Sequence, residues 1–280
     1  MKLYYSAGAC SLSPHIALEE AGLKYEAISA PTKTKQLPDG SDYRKVNPLG
    51  YVPYLVLDDG TGLREGPAIV QYIADQAPEK NLAPANGTLA RYQLQSWLNF
   101  IGTEVHKGFS PLFNPAMPAE AKKLSADRLL ERLKWVDGEL AGKTWLMGQD
   151  FTVADAYLFT VTNWAKPMQL DLAPFANLSA WRERVAARPA VQRGVEHAVI
   201  AAEDARRLRC GPFHELIPGA HDRDIWLEGH VHLGQTGGGQ QPDARGLHPR
   251  SAGQQQFSHL ELFTAAADVA AHRWKGSSGA

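Results

Sequence analysis

Lys2-Leu3-Tyr4-Tyr5-Ser6-Ala7-Gly8-Ala9-Cys10-Ser11-Leu12-Ser13-Pro14-His15 opens on a strand-like run and closes on a helix-like one. Leu3-Tyr4-Tyr5 has the aromatic composition of a short strand. Pro14 to Ala21 has a helical pattern, with Gly22 just past its end. Cys10 therefore sits at the mouth of a helix. The helix dipole and the free N–H groups there stabilise a thiolate, so a depressed thiol pKa is expected. In Cys10-Ser11-Leu12-Ser13 a serine stands where a CxxC redox pair has its second cysteine. No disulfide can close within the motif, but a mixed disulfide with a small thiol can form. The plain alternative is an inert cysteine packed as a small hydrophobe.

Outward from this stretch the pattern alternates through residue 77. Tyr25 to Ile28 and Tyr54 to Leu57 read as strands, and Asp58-Asp59-Gly60 as a hairpin turn into a further short strand. Ala68 to Ala77 reads as a helix with Ile69, Tyr72 and Ile73 on one face. The order is β-α-β followed by β-β-α. Two features in this half point to a ligand. In Asn47-Pro48-Leu49-Gly50-Tyr51-Val52-Pro53, a cis Pro53 beside the thiol would leave the preceding N–H and C=O free for an extended peptide, whereas a trans proline would only start an edge strand. Spacing does not choose between the two. In Glu65-Gly66-Pro67 the proline suits a first helical position and Gly66 permits close approach. Such a helix start takes a carboxylate or phosphate, and Glu65 can accept from an ammonium group, so the pair could hold an α-amino acid moiety by both ends. An ordinary helix cap is the alternative.

Pro78 to Thr88 reads as a linker, and from Leu89 to about Ala202 the pattern is helical throughout. Leu94, Trp97, Leu98 and Ile101 form one apolar stripe, and Leu129, Leu133, Val136 and Leu140 another. Thr152-Val153-Ala154-Asp155 looks like a capping box. Composition changes near Arg206, where Gly, Gln and His become frequent. The domains expected are 1–80, 88–203 and a tail, 206–280, that reads as disordered or foreign to the rest. His230, His232, His221 and Cys210 in that tail raise a metal reading, but no ligand spacing supports it and no metal is expected.

Composition bounds the rest. The chain has 280 residues, room for two ordinary domains, and is 44% hydrophobic, as soluble globular proteins are. A formal net charge of -1 gives no field favouring nucleic acid or an anionic membrane, so neither partner is expected. No apolar run is long enough to span a bilayer, and Met1 to Glu20 makes a poor signal peptide. Two cysteines do not make a disulfide framework, so a cytoplasmic setting is expected.

Together these motifs resemble the bacterial beta-class glutathione S-transferases. The resemblance rests on Met1 to Tyr5 with Cys10 to His15, Asn47 to Pro53, Glu65 to Tyr72, Trp97 to Phe100, Glu104 to Lys107, and Phe151 to Tyr157. It covers residues 1 to about 203 and leaves the tail unmatched. It implies a thioredoxin-like N-terminal domain, an all-helical C-terminal domain and a homodimer, with glutathione as co-substrate. It implies that Cys10 faces the glutathione sulfur, Val52 pairs with the cysteinyl backbone, and Pro53 is cis. Glu65 and Gly66 would hold the γ-glutamyl end, and Lys35 and Tyr51 would lie towards the glycine end. His106, as orienting or charge-balancing group or as acid or base, and Lys107 would stand near the thiol. Asn99 and Glu104 would approach the γ-glutamyl group from the partner subunit. Trp164, with Phe109 and Phe113, would line the electrophile pocket. Gly66 departs from the serine common there, which removes a hydroxyl but keeps the N–H.

The expected function is conjugation of glutathione to hydrophobic electrophiles in detoxification, with Cys10-dependent thiol–disulfide exchange. Two alternatives stand beside it: a non-catalytic ligand carrier or partner-binding module on the same fold, and a glutathione-dependent dehalogenase or isomerase.

Overall fold

The structure, a computed structural model, describes residues 1–197, and all that follows concerns these residues. Strand β1 (Lys2–Tyr5), helix α1 (Leu12–Ala21) and strand β2 (Glu26–Ser29) form the first unit, with β1 and β2 parallel. Strands β3 (Tyr54–Val56) and β4 (Gly62–Leu63) follow, then helix α2 (Gly66–Asp75). The sheet order is β2-β1-β3-β4, with β3 antiparallel to both of its neighbours. The parallel pair requires a crossover, and α1 supplies it.

The period of two in β1 separates two cores. Leu3 and Tyr5 join a large apolar cluster, while Tyr4 joins a smaller one with Tyr43, Val52 and Tyr54 on the other face. Every residue from Leu12 to Leu18 is buried, because α1 is packed between α2 and a helix of the second half. Gly22 ends α1 in the left-handed region, φ 66°, where glycine adds no steric penalty.

The second half is helical: α3 (Leu89–Phe100), α4 (Lys107–Phe113), α5 (Ala119–Glu139), α6 (Val153–Thr162), α7 (Ala176–Ala186), and a last helical stretch over 189–197. Between α3 and α4 the chain does not break but widens into a π-helical turn, Ile101–His106. Its stripe residues Leu94, Leu98 and Ile101, and those of α5, Leu129, Leu133 and Val136, are all buried; Trp97 is half-buried. The large cluster runs from Leu3, Ile16 and Ile73 through Leu98, Val105 and Leu133 to Trp181, so both halves share one apolar interior.

Two polar devices fix this arrangement. Arg91, 3% exposed, grips Asp75 through both guanidinium nitrogens at 2.7 and 2.8 Å and joins α3 to the end of α2. Asp155 is fully buried at the start of α6. It accepts from the Leu146 N–H at 2.8 Å, the Thr152 N–H at 2.9 Å and Trp181 Nε1 at 2.9 Å. The expected capping box is present, and its carboxylate also organises the preceding loop and α7.

Several boundaries differ from the sequence reading. Helix α1 begins at Leu12, so Pro14 lies within its first turn, where no N–H is missed. Helix α2 begins at Gly66, which puts Pro67 at the second helical position. The expected linker is docked: Leu82 is buried and its carbonyl accepts from the Val153 N–H at 3.0 Å. No described helix is long and apolar enough to cross a membrane. The expectations for the tail, including His221, His230, His232 and Cys210, lie outside the described residues.

Candidate active site

Cys10 sits in the loop between β1 and α1, just ahead of Ser11, the residue that caps the helix. Ser11 and Ser13 are both spent on local structure. Ser11 Oγ accepts from the Ser6 N–H at 3.0 Å and donates to the Ser6 carbonyl at 3.1 Å, and Ser13 Oγ donates to the Cys10 carbonyl at 2.9 Å. The thiol itself donates to the Val52 carbonyl at 3.4 Å. This contact joins the two motifs that lie more than forty residues apart in sequence.

The depressed pKa expected for Cys10 is not what the structure gives. Burial pushes the thiol up to about 11. Its own backbone N–H and Lys107 pull it down, and the Glu65 carboxylate pushes it further up. Desolvation of the anion outweighs the single amide and the distant lysine. The helix dipole acts on a thiol that is partly covered and packed against the Val52 turn, where desolvation offsets it. In the free protein Cys10 is a neutral S–H donor.

The Val52 turn is held from behind. The Val52–Pro53 peptide is cis. The Tyr51 carbonyl accepts from Tyr43 Oη and from Asn47 Nδ2, each at 2.8 Å. Lys35 Nζ donates to the Gly50 carbonyl at 2.5 Å and lies 5.9 Å from the Tyr51 ring centroid, and burial lowers its pKa. Tyr51 projects into solvent at 66% exposure. Lys35, Tyr51, Val52 and Pro53 thus form one rim.

Glu65 and Gly66 stand at the start of α2. Glu65 has φ 65° and ψ 117°, a region unfavourable for a residue with a side chain. Such strain persists only where the surroundings over-determine it, and here it leaves the carboxylate exposed at the helix N-terminus. A Cβ on Gly66 would meet nothing nearer than Pro53 Cγ at 3.9 Å and Ser13 Oγ at 4.0 Å, so a serine fits there. Glu65 and Lys107 both act on the Cys10 thiol, which places three of the expected residues around one point.

The helical half supplies the opposite wall. His106 Nδ1 lies 2.6 Å from Tyr157 Oη, and its ring meets the Trp164 ring edge-on at a centroid distance of 4.9 Å. Trp164 Nε1 donates to the Gly8 carbonyl at 2.8 Å, which pins this wall to the loop before Cys10. Burial, with help from Lys107, lowers His106 to about 4, so its imidazole is neutral at pH 7. The charge-balancing role expected for His106 is therefore corrected: Lys107 carries the cationic charge on this wall. Phe109 is also corrected as a pocket residue. It is fully buried beneath Trp164 and Phe113, which leaves the half-exposed Phe113 as the outer aromatic surface.

Asn99 and Glu104 are not brought to the thiol within the chain. Asn99 is exposed on α3, and Glu104 is engaged by Arg132 Nε at 2.9 Å and Arg128 at 3.1 Å, which hold its carboxyl below the usual range. The residue that sequence reasoning missed is Tyr157. Burial, then Cys10, then Glu65 raise its pKa, so its hydroxyl stays protonated beside His106. It lay inside the Phe151–Tyr157 motif, but nothing in the spacing shows that α6 turns this side chain towards His106.

Comparisons with known proteins agree with this arrangement. The glutathione S-transferase N-terminal domain family matches residues 7–76 and the C-terminal domain family residues 100–189. Glutathione S-transferase GstA of Escherichia coli O157:H7 is 47% identical over 192 residues, covering 69% of this chain and 96% of the relative. Glutathione S-transferase GST-4.5 of Xanthomonas campestris pv. campestris is 34% identical, covering 70% of this chain and 98% of the relative. Among solved structures, a ternary complex of BphK, a bacterial glutathione S-transferase, is 54% identical with a TM-score of 0.69, covering 71% of this chain and 99% of that one. A sphingomonad glutathione S-transferase complexed with glutathione is 45% identical, also with a TM-score of 0.69, and covers 71% of this chain and 98% of that one. The thioredoxin-like sheet and the helical half are thus those of a known enzyme family, and the chain belongs to the bacterial glutathione S-transferases and is a glutathione transferase.

Proposed function

We propose that this transferase conjugates glutathione to hydrophobic electrophiles, with Cys10 as an S–H donor to the glutathione sulfur. The observation that carries the reading is the Cys10 thiol, neutral and already donating at 3.4 Å to the Val52 carbonyl. A tripeptide laid along Val52 in an extended form would take up that carbonyl with its own N–H. The released thiol then has a new acceptor in the glutathione thiolate. Glu65 and the N–H of Gly66 would take the α-ammonium and α-carboxylate of the γ-glutamyl end. Lys35 and Tyr51 would receive the glycine end.

The chemistry balances without a cofactor. The glutathione S–H proton leaves to solvent, the thiolate forms a carbon–sulfur bond, and the electrophile's leaving group departs with its electron pair. Neutral His106 and protonated Tyr157 contribute dipoles, and Lys107 contributes positive charge, where thiolate charge develops. Phe113 and Trp164 offer the apolar surface for the electrophile. The slower side of Cys10 is exchange: its thiolate attacks oxidised glutathione, forms the mixed disulfide and releases one glutathione thiolate.

A homodimer belongs to this proposal. Leu49, Tyr51, Leu89 and Tyr92 expose large apolar side chains, and Asn99 and Glu104 would act on the partner subunit's site. A detoxifying role in the cytoplasm is part of the same reading. The test is turnover of a chloro-nitrobenzene electrophile by wild type and by Cys10→Ala. The proposal expects conjugation in the wild type, lowered in the variant, which keeps glutathione binding through the remaining anchors. Glutathione-dependent halide release from alkyl halides with no stable thioether product would favour the dehalogenase reading instead.

A further inference from the structure

His15 plays no part in the thiol site, yet it is the least satisfied polar side chain of the N-terminal half. It lies on α1, is fully buried, and has no hydrogen-bond partner at Nδ1 or at Nε2 among the described residues. A buried donor or acceptor without a partner is costly, and an imidazole with both nitrogens unmet calls for an explanation. Its ring neighbours are Tyr5 at 5.3 Å, Tyr25 at 5.4 Å and His197 at 5.6 Å between centroids.

Glu19 follows one turn later on the same face of α1, at the i+4 spacing that sets two side chains side by side. Its carboxylate is already aimed. Oε1 accepts from Tyr25 Oη at 2.7 Å, and Oε2 accepts from Arg193 Nε at 2.7 Å. His197, on the last helical stretch, brings Nδ1 to 3.6 Å from Glu19 Oε1. Ligand atoms of His15, Glu19 and His197 all lie within 4.8 Å of one another.

We propose that His15, Glu19 and His197 form a binding site for a divalent transition-metal ion, suited above all to Zn²⁺. Two imidazoles and one carboxylate are donors of the right softness for it. With bonds of about 2.0–2.2 Å, tetrahedral ligand atoms lie about 3.4 Å apart, so the three need to close only modestly. His197, half-exposed, can move to do this, while Tyr25 and Arg193 hold the carboxylate as outer partners commonly do. The metal would satisfy one buried nitrogen of His15. It would also tie α1, which begins just after Cys10, to the helical stretch 189–197, alongside the Arg193–Glu19 and Arg188–Glu20 pairs.

The test uses the full chain, freed of metal and titrated with Co²⁺ as a spectroscopic stand-in and with Zn²⁺ by calorimetry. The chain has further histidines outside the described residues, so the comparison is with His197→Ala and Glu19→Gln, whose side chains can change without opening the core; circular dichroism checks their folding. The proposal expects one site with the absorption of four-coordinate Co²⁺ bound by nitrogen and oxygen, and a loss of at least tenfold in Zn²⁺ affinity at that site in each folded variant. Unchanged affinity in either variant, or no Zn²⁺ binding by the wild type, overturns it.

Discussion

Alkylation of Cys10 is expected to be slow at neutral pH and to accelerate steeply into alkali. Burial holds the thiol at about 11 against an ordinary value of 9.0. Two pH units mean about a hundredfold less thiolate at pH 7. A thiolate of higher pKa is more nucleophilic, with a slope of about 0.4–0.5, which recovers roughly six- to tenfold. The net is a rate about tenfold below that of an exposed cysteine at pH 7. The rate should still rise about tenfold per unit near pH 9.5, where an exposed thiol has begun to level off. Neighbouring charges give two signed controls. Glu65 raises the thiol pKa, so Glu65→Gln should speed alkylation; Lys107 lowers it, so Lys107→Ala should slow it. Timed iodoacetamide labelling with peptide mapping reads Cys10 apart from Cys210. A rate that levels off below pH 9, or that exceeds the exposed thiol at pH 7, would refute the burial argument and restore the thiolate expected from the helix mouth.

Glu65→Ala should weaken glutathione binding by roughly ten- to a hundredfold, the loss of one charge-assisted contact, with the melting temperature little changed because the side chain is exposed and alanine keeps the same backbone strain; calorimetry reads the affinity. Gly66→Ser should leave affinity equal or improve it, since its Cβ has room beside Pro53 and Ser13; a large loss would mean that the helix start binds differently. Asp155→Ala strands the Leu146 N–H and the Trp181 indole in the core and should cost about 3 kcal/mol or more by denaturant unfolding, with the secondary structure retained under native conditions. Arg91 holds the Asp75 carboxyl below its ordinary range, so the ion pair contributes stability fully above the unfolded pKa and loses it as pH falls through the lower folded pKa. The stability gap between wild type and Arg91→Met should therefore be full at pH 6 and shrink below about pH 4; a gap that does not change with pH would remove the charge from the explanation.

The two-half architecture could be read in advance because each half has its own period. Leu3-Tyr4-Tyr5 divides between two cores as alternation requires, and Leu129, Leu133 and Val136 are buried as a helical stripe. The Glu65 helix start followed from residue type and order, whereas the cis Val52–Pro53 peptide followed only from the family resemblance. What escaped was everything set by burial in three dimensions. Cys10 reads as a thiolate from its place at the helix mouth, but the Val52 turn packs against it and desolvates it, and no spacing records that contact. Phe109 and Phe113 look alike in sequence, yet one lies in the core and the other at the surface. The π-helical turn Ile101–His106 shifts the phase of α4 without any proline or glycine pair to announce it, so the approach of His106 to Tyr157 could not be placed beforehand. In sequence His15 is only part of the opening motif, and its unpartnered nitrogens and the nearby Glu19 and His197 are set by packing.

In the proposed reaction Cys10 lies against the sulfur of bound glutathione. The most direct test of this placement is formation of the Cys10–glutathione mixed disulfide from oxidised glutathione at pH 9, followed by peptide mass, with and without saturating S-methylglutathione. An adduct is expected at Cys10 and S-methylglutathione should suppress it, because both occupy the Val52 groove. An adduct that forms at the same rate with the groove filled, or no adduct at Cys10 while a free thiol reacts, would contradict it.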